Sequence, residues 1–206
     1  FAVDIESSCW SKEIAPPAPS EIIEIGLSIL DLEDGMLCPF NLYVKPELSK
    51  VSEFCTNLTG ITQEMLDQNG VSFQEACQWI KSYQIPKEEV ILCSWGNYDK
   101  DQFKRQCFPS QASVFSTLYA HNPPEYPFGP DFINLKTLYA LLTGKKKRLG
   151  LGAASREFLG GFSGTQHSGK DDAYNAGRIM RKILNLFAFS STALDIAQNL
   201  RYSGRD

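Results

Sequence analysis

The sequence has little of what marks a membrane or secreted protein. No apolar run approaches the roughly 18 residues that predict a membrane-spanning helix, and no charged segment followed by an apolar one opens the chain. The six cysteines include no C-x-x-C pair and lie mostly inside apolar segments, unlike those of a small disulfide scaffold. We therefore expect reduced cysteines in a cytoplasmic protein that does not associate with a membrane.

Positive charge and histidine are also scarce. The net charge is -4, so the surface as a whole does not attract nucleic acid, whose binding depends on Lys and Arg neutralising phosphates. The only dense basic run, Lys145–Arg148, is either a solvated loop or a local contact with a phosphate backbone. Of the two histidines, His121 lies in no recognisable motif and receives no role. The surroundings of His167 carry more information.

With 206 residues, of which 43% are hydrophobic, the chain is long enough to bury a core in one globular domain. We predict a single domain over 1–206. The sequence lacks an initiator Met and opens inside a strand-like segment. We therefore expect the native polypeptide to extend upstream.

Strand-like and helix-like segments alternate along the chain. In order, the pattern predicts strands at 1–5, 21–32 and 36–46, a helix at 71–83, a strand at 90–95, a helix at 99–107, a strand running into a helix at 132–142, and helices at 151–160 and 170–189. The turn sequence DLEDG joins the second and third strands as a hairpin. This order predicts an α/β domain with a mixed sheet covered by helices.

Acidic residues occur where such a frame would form a cleft. Asp4 and Glu6 lie two apart in the first strand, so their side chains point to the same face. They either meet something positive there or end the strand in solvent. Asp99 follows the strand at 90–95, where α/β folds place ligand-binding groups, although Asp is also a good helix N-cap.

A fourth acidic position lies in the stretch HSGKDDAYNAGRI, which begins at His167. Asp171 and Asp172 fall in the first turn of a helix, where one carboxylate can point inward while the other caps the helix or faces water. His167 precedes Asp172 by five residues, on the loop GTQHSGK of glycine and small polar residues. A single loop histidine is usually inert, but its conjunction with these acidic positions indicates one functional cleft.

Taken in order, the segments DIESSCW, LTGIT, SWGNYDKDQF and HSGKDDAYNAGRI resemble the DEDD superfamily of 3′-to-5′ exonucleases. The spacing is most similar to the DEDDh branch, in which a histidine precedes the last aspartate. Within that branch it is most similar to the exoribonucleases that regulate histone mRNA and RNA interference, and to their bacterial relatives. The resemblance extends from Asp4 to about Ile183. It implies a ribonuclease-H-like fold, a mixed five-stranded sheet flanked by helices, in agreement with the α/β prediction.

By this resemblance, Asp4, Glu6, Asp99 and Asp172 are metal-binding carboxylates, and His167 is the general base. The family's separation of four residues between histidine and aspartate selects Asp172 rather than its neighbour. The strand-end position selects Asp99 rather than the aspartate two positions later. The resemblance also implies two divalent cations, Mg²⁺ or Mn²⁺, because oxygen ligands suit these hard ions. Four ionised carboxylates and two dications sum to zero charge, so the cleft can accept a phosphate.

The same resemblance implies substrate contacts. Ser7 and Ser8 would contact the 3′-hydroxyl of the terminal nucleotide, and Leu58 with Thr59 would position its base. Trp10 occupies a position where relatives often carry an aliphatic residue, so it either stacks on a base or packs in a loop against the sheet.

The implied function is a metal-dependent 3′-to-5′ exonuclease that binds single-stranded RNA or DNA 3′ ends, with RNA favoured, and releases nucleoside 5′-monophosphates. The expected chemistry is two-metal hydrolysis in which a histidine accepts a proton from water. Two alternatives are a DNA-directed exonuclease and a regulatory or binding module that keeps the fold without turnover. The complete set of four carboxylates and one histidine favours an enzyme over the second alternative.

Overall fold

The computed structural model describes residues 1–33, 35–83, 85–86 and 89–202, with side chains up to residue 187. The strands are β1 (Ala2–Ser7), β2 (Ile22–Leu30), β3 (Leu37–Tyr43), β4 (Leu92–Ser94) and β5 (Phe132–Asn134). The helices are α1 (Glu53–Thr59), α2 (Gln63–Asn69), α3 (Phe73–Lys81), α4 (Tyr98–Cys107), α5 (Val114–Leu118), α6 (Leu135–Leu142), α7 (Leu151–Leu159) and α8 (Gly169–Tyr202). Asp34 of the DLEDG turn and the last four positions of the predicted domain lie outside the described residues.

The strands form one five-stranded mixed sheet in the order β3-β2-β1-β4-β5. β2 lies antiparallel to both β1 and β3, whereas β4 lies parallel to both β1 and β5. Short connections suffice for antiparallel neighbours, while parallel neighbours need crossovers, which the helices between β3 and β5 supply. The predicted α/β fold with a mixed five-stranded sheet flanked by helices is confirmed.

Helices cover both faces of this sheet. On one face, Val3 of β1 belongs to an apolar cluster with Phe73 of α3 and Phe103 of α4. On the other face, Ala2 belongs to a cluster with Ile179 of α8. Because successive side chains of a strand point to opposite faces, the even-numbered residues of β1 face α8.

Strand β2 is covered on both sides. The sequence pattern of 21–32 predicts a strand, and residues 22–28 of β2 are all buried. The central position of β2 between β1 and β3, with α8 packed against it, explains this burial. A charged residue in this segment therefore needs a specific partner.

Three short helices, α1, α2 and α5, fall where the sequence pattern predicts none. They are five to seven residues long, which is too short for a helical period to stand out. Each begins after an N-cap residue whose side chain accepts a backbone N–H of the helix; these residues are Ser52, Thr62 and Ser113 respectively. Gly60 ends α1 with φ 76°, so the LTGIT segment forms the turn between α1 and α2.

All six cysteines are free thiols in the structure. In the part of the chain that the structure describes, no helix has both the length and the apolar character to cross a membrane.

Candidate active site

Strand β1 carries two of the predicted site residues into the interior. Asp4 and Glu6 point to the face covered by α8, and both are partly buried. β1 pairs with β2 as far as Ser7, so the alternative in which both carboxylates end the strand in solvent is wrong. Burial raises the pKa of Asp4 well above its usual range, and repulsion from Asp99 and Asp172 adds to this rise.

Asp99 is held both by β1 and by a backbone N–H in the first turn of its own helix. Asn97 occupies the N-cap position of α4, and Asp99 lies in the first turn, so the N-cap interpretation of Asp99 is wrong. Its Oδ1 accepts a hydrogen bond from the backbone N–H of Ile5 at 3.0 Å. Asp101 is exposed and pairs with Lys100 at 3.6 Å. The structure therefore brings Asp99, and not Asp101, toward β1.

The start of α8 carries Asp172 and the loop that ends in His167. Asp172 is buried, and its Oδ2 accepts the backbone N–H of His167 at 2.9 Å. His167 has φ 65°, a left-handed conformation that costs a non-glycine residue about 1 to 2 kcal/mol. The bond to Asp172 helps to stabilise this strained residue. The neighbouring Asp171 instead accepts the N–H of Thr165 at 2.8 Å and so stabilises the loop.

These elements surround a cleft of about 580 Å³. All five residues predicted for catalysis line it: Asp4, Glu6, Asp99, His167 and Asp172. One ligand atom each of Glu6, His167 and Asp172 lies within 4.8 Å of the others. The imidazole is exposed at this cleft, whereas the carboxylates are partly or fully buried. Residues from β1, α4 and α8, far apart in sequence, therefore meet in one place.

The cleft carries more negative charge than the chain itself compensates. Burial raises the pKa of Glu6 to about 8, with repulsion from Glu24 as the next cause. Burial also raises the pKa of Asp172 to about 6. Among the described residues, no N–H or cation bonds to the carboxylates of Asp4 and Glu6. A cluster of carboxylate oxygens of this kind fits hard divalent cations, which supply the missing positive charge.

The basic run lies next to the cleft. Gly150, Leu151 and Arg156 line the cleft, and the basic run ends two residues before Gly150. Lys145 pairs with Glu157 at 2.7 Å, while the other three basic side chains are exposed. A phosphate contact by these three stays a prediction.

Both predicted serines are buried and neither lines the cleft, but they differ in their hydrogen bonds. Ser8 is fully buried, and its hydroxyl accepts the backbone N–H of Glu21 at 2.9 Å. The structure therefore does not bring Ser8 into the cleft, because its side chain already has a structural partner. The hydroxyl of Ser7 follows Glu6 on β1 and has no hydrogen-bond partner among the described residues.

Helix α1 presents an apolar surface beside the end of β1. Leu58 is exposed, and Phe54, four residues earlier on the same helix face, is exposed as well. Thr59 bonds through its hydroxyl to the Cys55 carbonyl at 2.9 Å and so closes the helix. Trp10 is half-buried. Sequence reasoning missed Phe54, although its i, i+4 spacing to Leu58 was a usable signal.

Sequence reasoning also missed Glu24. This residue lies directly opposite Glu6 in the β1–β2 register and is only 3% exposed. The signal was a single charge inside the otherwise apolar run IIEIG.

Three comparisons relate this geometry to known proteins. The chain is 29% identical over 206 residues to ERI1 exoribonuclease 2 of Mus musculus, a match that covers 89% of this chain and 28% of that protein. It is 27% identical over 164 residues to the probable 3′-5′ exonuclease KapD of Bacillus subtilis, covering 79% of this chain and 73% of that protein. The nuclease domain of 3′hExo, a DEDDh family member solved bound to rAMP, superimposes with a TM-score of 0.70 at 25% identity, covering 89% and 90% of the two chains.

The chain thus spans little more than a quarter of the mouse relative's length. Exonucleases of the DEDDh type use divalent metals, which agrees with the carboxylate cluster found here. The family model described as Exonuclease matches residues 1–180, a range that contains the whole cleft. This chain therefore belongs to the exonuclease family.

Proposed function

We propose that the protein is a 3′-to-5′ exonuclease that removes nucleotides from single-stranded RNA. The observation that carries this proposal is the convergence of Glu6, His167 and Asp172 within 4.8 Å of one another. Asp4 and Asp99 line the same cleft. An exposed imidazole beside uncompensated carboxylates suits hydrolysis of a phosphodiester.

Asp4, Glu6, Asp99 and Asp172 are the proposed ligands of two divalent cations, either Mg²⁺ or Mn²⁺. Their oxygen atoms suit both ions better than they suit zinc, which favours sulfur and nitrogen in structural sites. When bound, the two ions supply positive charge that stabilises the attacking and leaving oxygens of the reaction.

His167 is the proposed general base. Its imidazole accepts a proton from the attacking water, whose oxygen forms a bond to the phosphorus of the last phosphodiester. The bond from that phosphorus to the 3′-oxygen of the preceding nucleotide breaks, and this oxygen takes up a proton from solvent. The products are a nucleoside 5′-monophosphate and a chain shortened by one nucleotide that ends in a new 3′-hydroxyl. The hydrogen bond from the His167 backbone to Asp172 keeps the imidazole beside the carboxylates.

The terminal nucleotide has candidate partners around the end of β1. The exposed side chains of Phe54 and Leu58 offer apolar surface to the base. Trp10, half-buried, is the remaining candidate for stacking. RNA is the favoured polymer because ERI1 exoribonuclease 2 is named for it and because the 3′hExo domain was solved with rAMP. A cytoplasmic location is part of the proposal, supported by the six free thiols.

The test is a time course with a 5′-labelled single-stranded RNA, its DNA counterpart, and a DNA strand with one ribonucleotide at its 3′ end. Each is incubated with Mg²⁺, Mn²⁺ or EDTA. A metal-dependent ladder that shortens from the 3′ end and is faster on RNA supports the proposal. A ladder that is faster on DNA redirects it to a DNA exonuclease, and no hydrolysis of either polymer refutes it.

A further inference from the structure

Glu24 is a buried carboxylate beside the cleft that takes no part in the proposed chemistry. Directly opposed residues on antiparallel strands point to the same face, so Glu24 faces α8 as Glu6 does. Burial of a carboxylate without compensation costs several kcal/mol. At 3% exposure, Glu24 must therefore find its compensation within the protein.

The compensation comes from the start of α8. Oε2 of Glu24 accepts the backbone N–H of Gly169 at 3.0 Å, and the N–H of Lys170 donates to the same carboxylate. Oε1 accepts from Nδ2 of Asn41 on β3 at 2.8 Å. The first N–H groups of a helix have no partner within the helix, and a negative charge there is stabilised by the helix dipole. Glu24 thus supplies from the sheet what an N-cap side chain ordinarily supplies from the helix itself.

A close backbone contact places α8 against the strand at the same point. A Cβ atom added to Gly26 would lie 1.9 Å from the carbonyl carbon of Gly169, so the strand tolerates no side chain there. A Cβ added to Gly169 would lie 3.2 Å from the carbonyl oxygen of Asp4 and from the Glu24 carboxylate. The first residue of α8 therefore rests directly on the sheet, and Glu24 orients it.

The hydrogen bonds also separate the roles of the two opposed glutamates. In the part of the chain that the structure describes, Glu6 has no N–H donor, so its oxygens are free for a cation. Both oxygens of Glu24 are occupied by donors. Glu24 is therefore not an additional metal ligand.

We propose that Glu24 is a positioning residue for the active site. By holding the N–H groups of Gly169 and Lys170, it fixes the start of α8, which lies two residues after His167 and three before Asp172. One carboxylate thereby orients both the proposed base and one proposed metal ligand. This inference rests on the proposed exonuclease function.

The test compares Glu24→Gln with Glu21→Gln. The amide in Glu24→Gln keeps one acceptor oxygen, but its NH₂ group cannot accept a hydrogen bond and faces groups that also donate. The start of α8 should therefore lose its orientation. Glu21 is a matched control, because it is 2% exposed and accepts backbone N–H groups of 47–49 without lining the cleft. The measurements are the Kd for Mn²⁺ by calorimetry, the Tm in EDTA, and kcat and KM on single-stranded RNA.

We expect Glu24→Gln to weaken Mn²⁺ binding about 10- to 100-fold, the range typical of residues that orient metal ligands, and to lower kcat more than it changes KM. Glu21→Gln should lower Tm by a similar amount and leave the Mn²⁺ Kd and kcat unchanged. If both variants lose the same stability and neither changes Kd or kcat, Glu24 has only a structural role and the inference is overturned.

Asn41→Ala is the second variant, to be used if Glu24→Gln does not fold. It keeps the carboxylate of Glu24 but removes the side-chain donor that orients this carboxylate. A weaker Mn²⁺ Kd and a lower kcat in this variant support positioning. Unchanged values mean that Glu24 acts through its charge alone, which overturns the inference.

A wild-type protein that binds no Mn²⁺ and hydrolyses no RNA removes the proposed function and this inference with it. Wild-type activity with an unaffected Glu24→Gln removes the inference alone.

Discussion

Buried carboxylates at two places, one just before β2 and one in the cleft, differ in the hydrogen-bond donors around them. Before β2, Glu21 accepts the backbone N–H groups of Glu47, Leu48 and Ser49 at 2.6 to 3.2 Å. In the cleft, Asp4 and Glu6 have no such donors among the described residues. A buried carboxylate that the chain supplies with donors anchors backbone, whereas one without donors keeps its oxygens available for a cation.

The pKa values express the same contrast. Burial raises the pKa of Glu21, but the three backbone hydrogen bonds oppose this rise. For Glu6, burial and three neighbouring acidic groups act in the same direction and raise the pKa to about 8. Removing the Glu21 carboxylate should therefore lower stability and keep activity. Removing a cleft carboxylate should raise the stability of the metal-free protein and lower activity.

The largest effect is expected from Asp4→Asn. Turnover should fall about 10³-fold or more, because metal-ion charge stabilisation contributes several kcal/mol and each 1.36 kcal/mol is tenfold in rate. In EDTA the variant should be more stable than wild type, because repulsion with Asp99 and Asp172 disappears. Glu21→Gln should do the reverse, losing about 1 to 3 kcal/mol of stability while keeping its turnover. Single-turnover RNA hydrolysis and urea unfolding in EDTA measure both quantities, and equal activity of Asp4→Asn and wild type would refute the site.

His167→Ala should have the next largest effect on rate. General-base assistance typically contributes about 10²- to 10⁴-fold, so kcat should fall by such a factor. Mn²⁺ binding should change little, since the four carboxylates remain. His121→Ala is the matched control, because His121 is exposed and lies outside the cleft. Equal rates for the two histidine variants would remove His167 from the mechanism.

A smaller effect is expected from pH on the metal-free protein. The pKa of Glu6 is about 8 in the folded protein against 4.5 ordinarily, so between these values the folded state binds more protons than the unfolded chain. Stability in EDTA should therefore fall as pH rises through this range. Mn²⁺ affinity should rise over the same range, because protons leave Glu6 and Asp172 as the cation binds.

Calorimetry at several pH values between about 6 and 8 tests this prediction. Glu6→Gln removes one titrating group and should flatten the dependence. A wild-type affinity that does not vary with pH would show that the cleft carboxylates are already ionised without metal.

The smallest effect is expected outside the cleft. Replacing Lys146, Lys147 and Arg148 by Gln should weaken binding of long RNA and reduce the slope of log K against log salt by about 0.7 for each phosphate that the variant no longer neutralises. A dinucleotide substrate, too short to reach the run, should be hydrolysed as before. An unchanged slope on long RNA would assign the three side chains to solvent.

Much of the frame follows from local patterns. The alternation of strand-like and helix-like segments predicts the mixed sheet. Because side chains along β1 alternate between its two faces, Asp4 and Glu6 lie on the same face. The short helices α1 and α2 escape prediction because one or two turns show no period, although Ser52 and Thr62 mark their starts. Glu24 and the buried bond of Ser8 escape it because their partners lie on other segments.

The sequence by itself determined the elements, the motif order and the chemical types of the candidate site residues, because these depend on neighbours along the chain. Only the tertiary structure decided which residues meet. The hydrogen bond from the Ile5 backbone to Asp99 and the docking of α8 on Glu24 each join segments that pack together only in the folded sheet. The difference between a carboxylate that anchors backbone and one left for a cation is likewise tertiary, because it depends on which N–H groups the fold brings within hydrogen-bonding distance.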